Sequence, residues 1–372
     1  MSTITETKKK GKSLGIFDIF LGIICLMLFI DTIGPTAAMG PSSITWYLII
    51  AAIFVLPTGL ITAELGATYP DEGGMYAWVK RAYGSKWGAR TTWCYWSNMA
   101  IYVSSAAIFV VQVFSQLFFP EISFFWQIVS TVILIWVYMF IAMQPMKNSK
   151  WVNNIGAIFK ITIILGMIIC AIIYMVKQGT PANDLSAKAF IPTLGASFIF
   201  FPALIYNVMG FEAMSTMGSQ MKNPSKDVPR AIIINVFFIV GLYILATLSM
   251  LFIVPYEDMN IVEGIMNCFI YTLGTGGIGR IAVVLVGIMF LFSLISQSIV
   301  WIVASCTMSA ESSLNNELPD FYGKTHKKHG TPLGSIILMG IISTVVTIIY
   351  GSMAGSAEDL FWTLFSFLSI IF

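Results

Sequence analysis

Long apolar segments recur along the chain from residue 16 to its last residue, and they constrain the fold more than any other feature. Crossing a hydrocarbon core of about 30 Å takes about 20 helical residues, and most of the segments reach that length. Only 10% of the 372 residues are charged, against about 25% in soluble domains, which is too few to coat a soluble globule. A transmembrane barrel would instead show segments of about 10 residues with alternating polarity. We therefore expect an all-α integral membrane protein.

The apolar segments predict about ten transmembrane helices. The first five are expected at residues 16–39, 44–65, 88–119, 124–143 and 152–176. The second five are expected at residues 193–217, 231–254, 278–310, 332–350 and 360–372. The first segment is longer than a signal-peptide core and has no evident cleavage site, so we expect a retained helix preceded by a basic cytoplasmic N-terminus at residues 1–15.

The positive charges favour one orientation of these helices. Cytoplasmic loops of membrane proteins carry the excess of Lys and Arg. With the N-terminus inside, the outer side receives only Lys177, Lys188 and Arg280, and Lys160 lies inside a span. The other 16 of the 20 fall on the inner side: Lys8, Lys9, Lys10, Lys12, Lys80, Arg81, Lys86, Arg90, Lys147, Lys150, Lys222, Lys226, Arg230, Lys324, Lys327 and Lys328. A miscounted helix would have reversed every later loop, so the imbalance supports both the count and the orientation.

The predicted helices form two halves that enter the membrane from opposite faces, as in an inverted repeat. We predict one repeat at residues 16–176 and another at 193–372, joined by an extracellular connection at 177–192. The opening helix of each half carries polar or helix-breaking residues deep in its span. One such interruption could be a simple kink, but paired interruptions predict a binding site, because bare peptide groups survive in lipid only where something pairs with them. The predicted substrate-binding residues are Ile30, Asp31, Thr32, Ile33, Gly34, Tyr206, Asn207, Met209, Gly210 and Phe211.

Three motifs carry a resemblance to a known group of transporters. They read ELGATYPDEGGMYAWVKRAYGSKWG from Glu64, YNVMGFEAMSTMGSQMKNPSKDVPRAI from Tyr206 and NNELPDFYGKTHKKHGTPLGSI from Asn315. Each resembles a signature segment of the amino acid, polyamine and organocation transporter superfamily, and each falls at the matching helix end. The first two helices, DTIGPTAAMGPSSITWYLIIAAIFVLPTGLITAEL from Asp31, are most similar to the bacterial glutamate/GABA antiporter type.

The resemblance implies a ten-helix inverted-repeat core, usually followed by two more helices, that works by alternating access around a central amino acid site. Two positions depart from the superfamily pattern. Residues 29–34 replace the usual GxG of the first helix, and Gln220 stands where many relatives have Glu. Because the sequence ends at Phe372 inside an apolar segment, we expect a truncated tenth helix and no final two helices.

Lys160 lies inside the fifth predicted span, where a charge costs about 2.5 to 3.5 kcal/mol on insertion scales. One interpretation is that it reaches back to the cytoplasmic face. The resemblance implies another, in which it bridges the first and eighth helices in place of a coupling sodium ion, as a matching lysine does in proton-coupled relatives. Ser296 is predicted as its neighbour in an ion-coupling set. Glu212 is predicted to brace the broken sixth helix within that set, and Asp31 to contact a substrate amine or a proton.

The sequence lacks the motifs expected of other function classes. The only histidines, His326 and His329, lie in a Lys-rich loop, and the sequence has no HExxH or GxSxG motif, so we predict no enzyme. Five scattered cysteines form no CxxC pair, and we predict no metal, cofactor or nucleic-acid partner. Without an ATP-binding motif, the leading hypothesis is a secondary amino acid transporter of the cytoplasmic membrane, either an antiporter or a proton-coupled symporter. Its partners would be an amino acid, a counter-substrate amino acid or amine, protons and lipid. The alternative is a non-transporting sensor or an inactive fragment on a transporter scaffold.

Overall fold

The computed structural model describes residues 15–69, 74–144, 146–192, 195–210, 212–213, 223–255, 258–259 and 263–371. Within these ranges the chain forms helices joined by turns and contains no strand. Eight helical spans are long and apolar enough to cross a membrane. The prediction of an all-α membrane fold is therefore confirmed.

The first span is interrupted in its middle. Helix α1 covers Ile16–Met27, a single 3-10 turn covers Ile30–Thr32, and helix α2 covers Ile33–Ala38. Pro35 helps explain the interruption, because its ring would clash with the carbonyl four residues earlier in a continuous α-helix. The break therefore lies where the polar residues predicted it, one turn before the proline.

The second span is continuous but contains a wide turn. Helix α3 at Ser42–Ile50 continues through a π-helical turn at Ala51–Val55 into helix α4 at Leu56–Thr68. Pro57 lacks the amide that an α-helical turn would use here, which favours the wider turn. The short amphipathic helix α5, Met75–Tyr83, follows and lies within the motif segment that begins at Glu64. Residues 70–73 of that segment lie outside the described residues.

Three further long helices and the start of the sixth predicted span follow. Helix α6 covers Ser85–Phe118, α7 covers Phe124–Ala142 and α8 covers Met146–Gln178. The sixth predicted span begins with a 3-10 segment at Ala196–Phe200 and helix α9 at Phe201–Tyr206. The α-helix ends at Tyr206, and Gly210 has a φ of 110°.

The remaining helices follow in order. Helix α10 covers Pro224–Ile253, α11 covers Gly264–Leu273, α12 covers Gly277–Leu314, α13 covers Leu333–Gly351 and α14 covers Ala357–Ile371. Sequence reasoning did not predict α11, which has only 10 residues and lies between two long spans.

The interrupted first span is the centre of the molecule. Of its most apolar 18-residue window, 78% is buried, a larger share than in any other candidate span. Helix α1 packs against α8, α10 and α12, and α12 also packs against α6. The break in this span is therefore enclosed by protein instead of lipid, which is the condition for exposed peptide groups at that depth.

Candidate substrate site at the helix interruptions

Two consecutive tight turns form the break in the first span. Leu28 has φ −80° and ψ 83°, and Phe29 has φ −77° and ψ 85°, which are inverse γ-turn values. The Phe29 amide accordingly lies 3.0 Å from the Met27 carbonyl oxygen, and the Ile30 amide 3.0 Å from the Leu28 carbonyl oxygen. Several carbonyls before the break lose the amide four residues later that a continuous helix would supply.

Side chains from three surrounding helices bind these carbonyls. Lys160 of α8 donates to the Cys25 and Leu28 oxygens at 2.7 and 2.6 Å. Trp301 Nε1 of α12 donates to the Leu26 oxygen at 2.9 Å. The Tyr243 hydroxyl of α10 accepts from the Phe29 amide at 2.5 Å and donates to the Met27 oxygen at 2.8 Å. The Thr32 hydroxyl lies 2.6 Å from the Phe29 oxygen. The carbonyls from residue 25 to residue 29 are thus all paired within the protein.

Lys160 is completely buried, and its ammonium group binds three acceptors. Two are the carbonyl oxygens of Cys25 and Leu28, and the third is Gln297 Oε1 of α12. An ammonium group has three protons to donate, so the three acceptors match its full capacity. Lys160 therefore joins the break of the first span to α12 and does not reach back to a membrane surface.

Gln297 is a contact that sequence reasoning missed. Its Nε2 donates to the Tyr102 hydroxyl of α6 at 2.5 Å while its Oε1 accepts from Lys160. The predicted neighbour Ser296 donates to the Val152 oxygen at 2.9 Å, and its hydroxyl lies 3.4 Å from Cys25 Sγ, so it lies where α1, α8 and α12 meet. An amide between two serines in an otherwise apolar span was the available signal for Gln297.

Asp31 lies in the 3-10 turn of the break and is 2% exposed. Its Oδ1 is buried and has no hydrogen-bond partner among the described residues. Lys160 and Gln297 lie close enough to interact electrostatically with the carboxylate. Asp31 and Lys160 are thus two charged side chains, both almost completely buried, at the same break.

Polar side chains connect the break in the first span to the end of α9. The Thr32 hydroxyl in the break of the first span donates to Oδ1 of Asn207, the residue that directly follows α9. Asn207 Nδ2 in turn donates to the Tyr47 hydroxyl of α3 at 2.7 Å. The sequence-predicted residues Thr32 and Asn207 therefore meet, although they are 175 positions apart.

Aromatic rings surround the break on one side. The ring of Phe29 lies 4.9 Å from that of Tyr206 and 6.0 Å from those of Tyr102 and Trp301, measured between centroids. Gly210 is also part of this contact, since a Cβ there would lie 2.9 Å from the Trp301 ring. The predicted residues Tyr206 and Gly210 thus converge with three rings from the first span, α6 and α12.

The other predicted residues have varied surroundings. Ile30 and Ile33 are completely buried in the apolar core beside the break, and Gly34 lies there as well. Glu212 Oε1 accepts from the Tyr95 hydroxyl of α6 at 3.3 Å. Phe211 lies outside the described residues.

A cavity of about 690 Å³ borders the second interruption. Its walls come from α4, α5 and α6, and they include Met209, Gly210 and Glu212. Tyr95 lines the same cavity, and its ring lies 6.1 Å from that of Trp301. The cavity therefore leads from the side of α5 to the edge of the aromatic cluster.

Comparison with solved structures supports this architecture. MhsT in complex with L-phenylalanine has a TM-score of 0.65 at 13% identity, with 98% of this chain and 89% of that chain covered. Mhp1, a nucleobase-cation-symport-1 family transporter with a bound hydantoin, has a TM-score of 0.61 at 14% identity, with 97% and 77% covered. At these identities the likeness establishes a shared fold.

Sequence comparison establishes the family. A probable agmatine/putrescine antiporter of Lactococcus lactis is 28% identical over 96% of this chain and 76% of its own length. A glutamate/gamma-aminobutyrate antiporter of L. lactis is 21% identical over 90% of this chain and 68% of its own length. A branched-chain amino acid permease of Bacillus subtilis is 22% identical, with 91% and 75% covered. The profile described as amino acid permease matches residues 14–372, and the chain therefore belongs to the amino acid permease family.

Proposed function

We propose that the protein exchanges amino acids, or amines related to them, across the cytoplasmic membrane by alternating access, with Lys160 in the place of a coupling metal cation. The observation that carries the proposal is the set of three acceptors around the Lys160 ammonium group. Backbone carbonyls from an unwound helix together with side-chain oxygens are the ligands that transporters of this architecture offer to a sodium ion.

The fixed ammonium group of Lys160 determines which gradient can drive transport in this proposal. Because the charge is part of the protein, no sodium gradient is needed to fill this position. Lys160 can instead change its charge by exchanging a proton, which would couple transport to pH. Exchange of one solute for another needs no net ion movement, and similarity to two antiporters, a probable agmatine/putrescine and a glutamate/gamma-aminobutyrate antiporter, favours that mode over symport.

The connection between the two interruptions supports alternating access. Thr32 and Asn207 link the two broken spans, so a solute that contacts one span is positioned to move the other. Rocking of the predicted repeats at residues 16–176 and 193–372 around this point would open the site to each side in turn. The cavity beside Glu212 would then be the route on the cytoplasmic side, since the predicted orientation places α5 there.

Counterflow in proteoliposomes tests this function. Vesicles containing the purified protein are preloaded with one unlabelled solute, and uptake of the same labelled solute is followed for acidic, neutral and basic amino acids and for alkyl amines. We expect accumulation above that in protein-free vesicles for at least one solute. A protein that binds a solute, as seen by thermal stabilisation, but never accumulates it would be a sensor, and the transport proposal would be wrong.

A further inference from the structure

We propose that the Asp31 carboxylate binds the ammonium or guanidinium group of an organic cation, so that the exchanged solutes are diamines, guanidino amines or basic amino acids and not acidic amino acids. This inference rests on the proposed transport function and specifies its solute class. The structural observations are an unpaired buried oxygen, the full engagement of the Lys160 donors, and a cluster of aromatic rings.

The first observation is the unpaired oxygen of Asp31. A carboxylate buried without a partner is strongly disfavoured, and nearly all such groups in proteins are paired or solvated. Asp31 is 2% exposed and its Oδ1 has no partner among the described residues. The freed carbonyls of the same break are all bound by side chains, so Asp31 Oδ1 remains as the acceptor for a bound cation.

The second observation concerns the positive charge that an acidic solute would need. Lys160 already donates to two carbonyl oxygens and to Gln297, which accounts for all three of its protons. Trp301 Nε1 is likewise engaged by the Leu26 oxygen. The Lys160 charge still acts on Asp31, but an acidic side chain entering the break would find no ammonium proton left to bind it and would meet the Asp31 carboxylate. A cationic solute instead brings its own N–H donors to Asp31 Oδ1.

The third observation is the aromatic cluster beside Asp31. Phe29, two residues before Asp31, has ring contacts with Tyr102, Tyr206 and Trp301. Tyr102 and Tyr206 also lie within electrostatic range of the Asp31 carboxylate. Aromatic faces attract alkylammonium and guanidinium groups, and the rings pack well against a short alkyl chain. A carboxylate next to several rings is thus suited to a flexible organic cation.

Competition against counterflow tests the solute class. Putrescine, agmatine, lysine, leucine and glutamate are each added outside vesicles that take up a labelled solute. We expect the cationic compounds to inhibit at concentrations at least tenfold lower than glutamate. Asp31→Asn should weaken this inhibition at least tenfold, because the ammonium loses its charged partner. Asp31→Glu should retain part of it, and Asp184→Asn, which removes an exposed carboxylate, should leave it unchanged.

A binding measurement tests the inference even if a variant does not transport. The melting temperatures of the same purified variants are measured with and without putrescine or glutamate. Stabilisation of the wild type by putrescine that is lost in a folded Asp31→Asn variant supports the inference even if counterflow fails, and only the transport proposal would then fall. Counterflow of glutamate or leucine that Asp31→Asn leaves unchanged would overturn this inference alone. Stabilisation by glutamate and not by putrescine would also overturn it.

Discussion

The Lys160 ammonium nitrogen lies 2.6 Å from the carbonyl oxygen of Leu28, a residue in the middle of the broken first span. In a continuous helix this oxygen would accept from the Thr32 amide, but that amide binds the Phe29 oxygen instead. The break and the buried charge therefore stabilise each other. The broken helix provides acceptors for a charge that lipid would exclude, and the charge binds carbonyls that the break exposes.

Replacing Tyr243 by Phe tests whether the break depends on the helices around it. The hydroxyl group pairs with the Phe29 amide and the Met27 oxygen, both buried. Without the hydroxyl, these two groups keep only the tight-turn contact with each other, and each lost hydrogen bond is worth about 0.5 to 1.5 kcal/mol. We expect Tyr243→Phe to lower the thermal stability of the purified protein clearly. Tyr271→Phe is the matched control, because that residue is largely exposed and should lose little. Equal melting temperatures for the two variants would contradict the prediction.

Gly210 should tolerate no side chain. Its φ of 110° is strained for other residues by about 1 to 3 kcal/mol, and a Cβ would lie 2.9 Å from Trp301. We expect Gly210→Ala to reduce transport at least tenfold and to lower stability. Gly241→Ala is the control, since a Cβ there meets nothing within 4 Å and lies in helix α10. Normal transport by Gly210→Ala would show that this geometry is not needed.

An ion pair joins helix α5 to the segment after α12, and from it we predict that the stability of the protein depends on pH. Lys80 Nζ lies 2.7 Å from Glu317 Oε1, and the Tyr76 hydroxyl donates to Glu317 Oε2 at 2.6 Å. Partial burial alone would raise the pKa of Glu317, but the hydrogen bonds from Lys80 and Tyr76 outweigh it and hold the pKa below its ordinary value. The hydrogen bond to Glu317 raises the pKa of Lys80.

The contribution of Glu317 to stability should therefore be complete above the ordinary pKa of a carboxyl group and disappear as pH falls through its lowered value. Glu317→Gln should be less stable than the wild type at neutral pH, by at most about 1 kcal/mol because the pair is partly exposed. The gap between the two melting temperatures should close in acid. Asp320→Asn, which changes an exposed carboxylate nearby, should show no such gap. A gap that widens as pH falls would contradict this assignment.

The proposed orientation can be tested by labelling from outside the cell. Ser186 and Lys327 are both exposed, and the charge distribution predicts that they face opposite sides. In a Cys94→Ser background, which removes the exposed cysteine, a membrane-impermeant maleimide should label Ser186→Cys in intact cells. It should label Lys327→Cys only after the membrane is permeabilised. The reverse pattern would invert the predicted topology.

Sequence reasoning located the parts of the site that leave a local signal. The first apolar segment is interrupted by Asp31, Gly34 and Pro35, and another contains the charged Lys160. Each of these residues is unusual in an apolar span and is therefore visible in the sequence. The break in the first span lies where these signals placed it, and α9 ends at Tyr206, the first residue of the site predicted in the sixth span. The division into two five-helix repeats and the functional roles of the site residues stay predictions.

The partners of the break could not be predicted in the same way. Tyr243, Trp301 and Gln297 lie in long continuous helices, where an aromatic residue or a single amide is ordinary. Periodicity shows which residues share a face of one helix, but it does not show which other helix that face meets. The pairing of Thr32 with Asn207 depends on the same long-range packing.

The dependence of uptake on sodium and on pH tests the role of Lys160 most directly. Initial uptake of a transported solute is measured in proteoliposomes with sodium replaced by potassium on both sides, at several pH values, for the wild type, Lys160→Gln and the exposed control Lys188→Gln. We predict that the wild type and the control transport equally well without sodium and respond to pH, whereas Lys160→Gln loses the response to pH. Uptake that requires sodium, with the same pH profile in Lys160→Gln as in the wild type, would contradict the account.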